Sequence, residues 1–253
     1  MTGTTVVVGA AQGIGEAVAR RLAREPWTSR LVIADIREDL VQALAADLRA
    51  EGHTVDAYPI DVNDDASIAA VVAQSNEAER VAIVAGIFKA VSSLETTRED
   101  FERVLGVNLM GNFFVAQAYA REMVERRSGA IVGVTSIAAR IPRMRQAAYC
   151  ASKAGLRQAL RVLAMETVPL GVRINTVSPG PTDTPMMRSL AADHASVDDL
   201  AAGSPDAFRP RIPDGRVARP EQVAAATAYL LSPDAEHVAF HDLFVDGGES
   251  LGA

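Results

Sequence analysis

The chain has one cysteine, Cys150, among 253 residues. That excludes an internal disulfide and any metal site built on several thiolates. No apolar run is long enough to span a bilayer. The opening Met1-Thr2-Gly3-Thr4 has no basic stretch ahead of an apolar one, so no secretion leader is expected. Positive charge is not in excess either. A formal net charge of -7 argues against a nucleic-acid partner and favours solubility. Repeats and low-complexity tracts are absent as well. These absences together fit a cytoplasmic protein without metal. What remains is 49% hydrophobic and 23% charged, enough to bury a full core in one large domain.

Strand-like and helix-like stretches alternate almost from end to end. Apolar, β-branched runs at 4–8, 31–34, 54–58, 81–85, 130–135, 172–177 and 240–245 predict seven strands. Helical spacing predicts helices at 13–24, 39–50, 66–74, within 98–126, at 147–167 and at 221–231. Short, wholly apolar strands separated by helices indicate a parallel sheet covered on both faces. The expected fold is therefore α/β: a single doubly wound Rossmann domain over 1–253, with a mostly or wholly parallel seven-stranded sheet. The stretch from about 180 to 219 is the least regular, rich in Pro, Asp and Ala. It is too long for an ordinary connection and is read as a substrate lid.

The first strand runs into Gly9-Ala10-Ala11-Gln12-Gly13-Ile14-Gly15. Gly9 permits a tight turn, Gly13 lets backbone approach a pyrophosphate, and Gly15 lets the following helix pack close to the sheet. The helix N-terminus adds unpaired N–H groups and the positive end of a dipole. Asp35 ends the second strand, about 20 residues on, where an acid accepts from ribose hydroxyls and repels a 2′-phosphate. The pattern points to a dinucleotide, and to NAD rather than NADP, although Arg37 stands close by. Asp61 and Val62, after the third strand, are placed to meet an adenine ring.

Tyr149-Cys150-Ala151-Ser152-Lys153 puts a phenol and an ammonium on one helix face, four residues apart. A phenol near its reference pKa of about 10 is a poor base at neutrality. A neighbouring ammonium and a cationic nicotinamide both favour the phenolate. Tyr149 thus reads as a general base and Lys153 as its activator. Ser136, at the end of the fifth strand, offers a hydroxyl to hold the substrate oxygen, and Asn108 would complete a proton relay.

The glycine cradle, Asp35, Asn108, Ser136, Tyr149, Lys153 and Ser178-Pro179-Gly180 together resemble the short-chain dehydrogenase/reductase family over essentially the whole chain. The resemblance implies hydride transfer to or from a nicotinamide, a tetrad of Asn108, Ser136, Tyr149 and Lys153, and often a homotetramer formed through two long helices. It also implies cofactor contacts from Ala85 and Gly86, from Pro179 and Gly180, and from Thr182 at the carboxamide. Two departures stand out. Val8 replaces the family's usual Thr before the first glycine, and Ile83-Val84-Ala85-Gly86 lacks its usual Asn. Cofactor binding there must rely on backbone.

Within that family, Ile141-Pro142-Arg143-Met144, the segment 177–184 and the C-terminal Asp246-Gly247-Gly248-Glu249-Ser250-Leu251-Gly252-Ala253 resemble the siderophore-pathway dehydrogenases of 2,3-dihydro-2,3-dihydroxybenzoate. The resemblance implies oxidation of a ring hydroxyl of a dihydroaromatic carboxylic acid, followed by tautomerisation to the catechol acid. Arg143 lies between Ser136 and Tyr149 and is the first candidate to grip the carboxylate, ahead of Arg140 and Arg145. Met144, Met186, Met187 and Leu190 are candidates to line a slot for the ring. The amino analogue trans-2,3-dihydro-3-hydroxyanthranilate, as substrate, fits the same residues. An NADPH ketoacyl-type reductase is opposed by Asp35, and a non-catalytic nicotinamide-binding regulator by the intact tetrad.

Overall fold

Every predicted apolar run forms a strand in the computed structural model, which describes residues 2–190 and 198–251. The strands are β1 (Gly3–Val8), β2 (Thr28–Asp35), β3 (Val55–Pro59), β4 (Arg80–Ile83), β5 (Gly129–Val134), β6 (Val172–Pro179) and β7 (Asp242–Val245). They form one sheet in the order β3-β2-β1-β4-β5-β6-β7, and every neighbouring pair is parallel. From β1 the chain builds outward to β3, then returns to the other side of β1 with β4. The strand order thus reverses between β1 and β4, which opens a crevice beyond their C-terminal ends.

The period of two explains the sandwich. Val7 of β1 points into one core with Ile33, while Val6 and Val8 point into the other with Val32. The first core is closed by α1 (Gly13–Ala23), α2 (Glu38–Ala50) and α8 (Pro220–Leu231). The second is closed chiefly by α3 (Asp65–Ala73), α5 (Asn112–Glu125) and α6 (Ala147–Thr167), with α4 (Arg98–Leu105) leading into α5. Truncating a side chain such as Leu22 or Ile33, both essentially inaccessible, costs about 2–5 kcal/mol.

Three local features differ from the periodic reading. The helical stretch expected within 98–126 is interrupted by a π-helical turn at Gly106–Gly111, which carries Asn108. Such turns recur at functional sites. Here a Cβ on Gly111 would lie 2.6 Å from Val62 Cγ2, so the wider turn presses against the loop after β3. β7 starts at Asp242 because Phe240 adopts a left-handed backbone, with φ of 60°. The expected lid has structure of its own: α7 (Pro185–Leu190) and short 3-10 turns at Asp198–Ala202 and Pro205–Ala207. Leu200, Ala201, Ile212 and Val217 form a small core under it with Met187. Residues 191–197 of this segment, and the side chain of Leu190, lie outside the described residues. Among the described residues no helix is long and apolar enough to cross a membrane.

Candidate active site

The glycine cradle is built by close approach. Gly9 has a φ of 87°, and a Cβ there would lie 2.4 Å from the Ala85 nitrogen. A Cβ on Gly15 would lie 1.8 Å from the Gly9 carbonyl oxygen. No side chain caps the N-terminus of α1, so its first N–H groups are left for a ligand. Where the two family side chains are missing, backbone and one other side chain brace the turns. Val8 is fully buried, and its carbonyl accepts from Val84 N at 2.8 Å and Ala85 N at 3.2 Å. Asn112 Nδ2 holds the Ala85 carbonyl from the other side at 2.8 Å.

Asp35 ends β2 and is buried, its side chain 9% exposed. Oδ2 accepts from Ala11 N and Oδ1 from Arg37 N, each at 3.0 Å. The residue therefore braces the cradle rather than capping α2, and each oxygen keeps a lone pair for a hydroxyl. Arg37 donates to Gln12 Oε1 at 2.6 Å. Asp61 turns its Oδ1 to Asn63 N at 2.9 Å, while Val62 is buried against the π turn.

Tyr149 and Lys153 share one face at the start of α6. Burial pushes the Tyr149 phenol up to about 12, an effect opposed by its hydrogen bond with the Ser136 hydroxyl. Burial pushes the Lys153 ammonium down to about 8. Lys153 Nζ donates to the Val134 carbonyl at 3.0 Å and lies 5.8 Å from the centroid of the Tyr149 ring. Ser136 begins the 3-10 turn Ile137–Ala139, and its Oγ accepts from Ala138 N at 3.2 Å. Asn108 is fully buried. Its Oδ1 accepts from Ile87 N at 2.8 Å, and its Nδ2 donates to the Ile87 carbonyl at 2.9 Å and to Ser152 Oγ at 3.2 Å. Its side chain is therefore spent on the turn after β4 and on α6.

A cavity of about 760 Å³ follows the crevice. The residues expected to meet the cofactor line it, with Ser136, Tyr149, Lys153, Arg143, Met144, Arg145, Met186 and Met187, whereas Arg140 turns away to Asp242, at 3.7 Å, and the side chain of Leu190 lies outside the described residues. Asn108, expected in the catalytic tetrad, also lies outside that lining. Thr182 donates to the Gly180 carbonyl at 3.0 Å, which shapes the turn leaving β6. Phe88 packs edge-on against the Tyr149 ring, with centroids 4.9 Å apart. The cavity thus joins a dinucleotide cradle to a phenol–hydroxyl–ammonium set, an arrangement that fits a nicotinamide cofactor and a small alcohol or ketone.

Two lining residues carry a signal that sequence reading missed or ranked low. Glu249, in the turn after β7, is 1% exposed. It accepts from Arg143 Nη2 at 2.8 Å and from Arg209 Nε at 3.0 Å. Arg143 is itself nine-tenths buried in this contact. Burial pushes its guanidinium below the ordinary arginine range, against the pull of Glu249. A Gly-Gly-Glu at a chain end resembles any surface turn, and 106 positions separate Glu249 from Arg143. Only the motif around it, matched as a whole, singles it out.

Comparisons with known proteins agree with this geometry. A family model described as enoyl-(acyl carrier protein) reductase matches residues 9–250. The 2,3-dihydro-2,3-dihydroxybenzoate dehydrogenase of Bacillus subtilis (strain 168) is 36% identical over 250 residues, covering 97% of this chain and 95% of the relative. The D-threitol dehydrogenase of Mycolicibacterium smegmatis is also 36% identical over 250 residues, covering 97% and 92%. An actinorhodin polyketide ketoreductase solved with NADPH superposes with a TM-score of 0.88 at 29% identity, covering 98% of this chain and 97% of that one. These relatives share a fold and differ in the molecules their names specify.

Proposed function

The chain belongs to the short-chain dehydrogenase/reductase family, and from that premise we propose that it uses NAD to oxidise a ring hydroxyl of a dihydroaromatic carboxylic acid. The leading substrate is 2,3-dihydro-2,3-dihydroxybenzoate, giving 2,3-dihydroxybenzoate for siderophore-type biosynthesis. The observation that carries this reading is the nine-tenths-buried Arg143 guanidinium in the wall of the cavity that holds Tyr149. A cation shut away beside the reacting groups suits a substrate with a carboxylate. A neutral polyol such as threitol offers it hydroxyl oxygens but no negative charge.

NAD, when bound, supplies the hydride acceptor. Tyr149 takes the proton of the substrate hydroxyl as the carbinol hydrogen departs, and Ser136 holds the same oxygen. Lys153 favours the phenolate by its charge. Asn108 is a positioning residue, holding Ile87 and Ser152 on either side of the site. The oxidised ring then enolises to an aromatic product, so the protein's task is to orient one carbinol against the cofactor. Met186 and Met187 line the ring slot with Met144 at its mouth. Asp35 gives the preference for NAD, Thr182 meets the carboxamide, and the enzyme works in the cytoplasm. It assembles as a homotetramer through α5 and α6, whose outer faces leave Phe114 and Met165 exposed.

The test is turnover by the purified protein, followed as NADH formation from NAD. The dihydrodiol acid should exceed D-threitol by about 10²-fold or more in kcat/KM, as expected when a buried charge is left unpaired by the wrong substrate. Oxidation of threitol without oxidation of the acid overturns the proposal.

A further inference from the structure

Three of the four buried side-chain polar atoms without a hydrogen-bond partner among the described residues belong to one cluster: Arg143 Nη1, Arg209 Nη2 and Glu249 Oε2. Both arginines donate to the same oxygen, Glu249 Oε1. An arginine fork ordinarily closes on both oxygens of a carboxylate. Here each guanidinium leaves a nitrogen open and the carboxylate leaves an oxygen open. Unpaired charged groups shut away from water are among the costliest features a fold can hold. A latch between the segment carrying Arg209 and the catalytic loop carrying Arg143 would be served better by closed forks. Asp246 acts on Arg143 only through its charge and forms no hydrogen bond with the cluster. Its two oxygens accept from Gly248 N at 2.9 Å and Ser250 N at 2.8 Å, which builds the turn that presents Glu249.

All three residues line the cavity that holds Tyr149 and Ser136. Building on the function proposed above, we infer that Arg143, Arg209 and Glu249 form a site for a ring carboxylate together with a hydrogen-bond donor on the adjacent ring carbon. The carboxylate brings two acceptor oxygens for the two open arginine nitrogens. The adjacent hydroxyl brings one proton for Glu249 Oε2. Each open atom then gains a partner, reached as the three side chains turn toward the cavity, since none of the atoms is accessible where it now lies. The arrangement also selects the position of oxidation: with the hydroxyl next to the carboxylate held by Glu249, the next hydroxyl around the ring is the one left for Tyr149. An amine next to the carboxylate presents the same donor. A plain polyol lacks the anionic pair of acceptor oxygens, and a simple benzoate lacks the donor.

Calorimetric binding to the NAD-loaded enzyme tests this with 2,3-dihydroxybenzoate, benzoate and catechol as probes. The wild type should bind 2,3-dihydroxybenzoate about 10-fold or more tightly than either fragment. Arg209→Met keeps the Arg143–Glu249 pair. It should weaken 2,3-dihydroxybenzoate and benzoate by about 10- to 100-fold while catechol shifts far less. Glu249→Gln, its fold checked by thermal melting, should bring 2,3-dihydroxybenzoate close to benzoate. The site is overturned if Arg209→Met leaves 2,3-dihydroxybenzoate binding unaltered, or if catechol weakens in step with it, as a latch would require. Turnover of the dihydrodiol acid is scored separately. Arg209-dependent binding without turnover keeps the site and removes the proposed reaction. Turnover with acid binding indifferent to Arg209 removes the site alone.

Discussion

The Lys153 ammonium donates to the Val134 carbonyl at 3.0 Å while lying 5.8 Å from the centre of the Tyr149 ring. The lysine is therefore held by the strand that ends beside the site, and it acts on the phenol through space. Burial, only partly offset by the hydrogen bond with Ser136, holds the phenol up at about 12. Its work as a base depends on charge brought near it.

Replacing Tyr149 with Phe removes the base and leaves the cavity wall and the cofactor cradle in place. kcat for the dihydrodiol acid should fall by about 10²–10⁴-fold, the usual worth of general base catalysis. NAD affinity, measured by fluorescence titration, should move only a few-fold. A variant with wild-type kcat would remove Tyr149 from the chemistry.

Lys153 carries a stability cost with a definite sign. Its folded-state pKa is lowered by burial from 10.5 to about 8. Below pH 8 both states hold the proton, and the folded chain bears the full cost of a buried ammonium. Between about 8 and 10.5 the folded chain has released the proton and the unfolded chain has not, so stability rises with pH there. At 1.36 kcal/mol per pKa unit the cost at pH 7 is about 3 kcal/mol. Lys153→Met should therefore melt several degrees higher than wild type at pH 7 and lose activity, with the difference shrinking toward pH 10. A lower Tm at pH 7 would mean that the bond to Val134 outweighs burial.

Elements buried on both faces were legible from sequence because nothing competes with their pattern. β1 is buried from Thr4 to Val8 and wholly apolar over Val6, Val7 and Val8, and α6 runs at Ala147–Thr167 as its periodicity predicts. Arg143 was legible because Ser136 and Tyr149 bracket it on a short loop. The π turn was not, since one extra residue per turn leaves an apolar pattern almost unchanged. The commitment of Asn108 to Ile87 and Ser152 follows from that turn and was equally hidden. Arg143 and Arg209 meet Glu249 across 106 and 40 positions of chain, and no local spacing reports such a meeting. The small core within residues 180–219 is likewise a long-range product, in which Met187 reaches residues from 200 to 217.

The approach of α1 to the sheet leaves no room at Gly15. A methyl group there would lie 1.8 Å from the Gly9 carbonyl oxygen, and the obstacle is backbone that cannot rotate away. Gly15→Ala should push the start of α1 off the sheet, costing about 1–3 kcal/mol by chemical denaturation. NAD affinity should fall with it, because the N–H groups of the cradle move. Unchanged stability and affinity together would mean that the helix is free to shift without loss.

Cofactor choice rests on the contest between Asp35 and Arg37. The Asp35 carboxylate is held by Ala11 N and Arg37 N and repels a 2′-phosphate, while the Arg37 guanidinium stands 3.6 Å from Asp35 Oδ1 and is tied to Gln12. Asp35→Ala removes both the acceptors for the ribose hydroxyls and the repulsion. kcat/KM with NAD should drop by about 10- to 100-fold, the worth of hydrogen bonds to a charged group. With NADP it should rise, because Arg37 loses its carboxylate neighbour and meets the phosphate directly. Adding Arg37→Ala should abolish that gain. The measurement is kcat/KM for each cofactor at a fixed, saturating level of the dihydrodiol acid. A wild type that prefers NADP, or an Asp35→Ala variant with an unaltered cofactor ratio, would show that the end of β2 does not govern the choice.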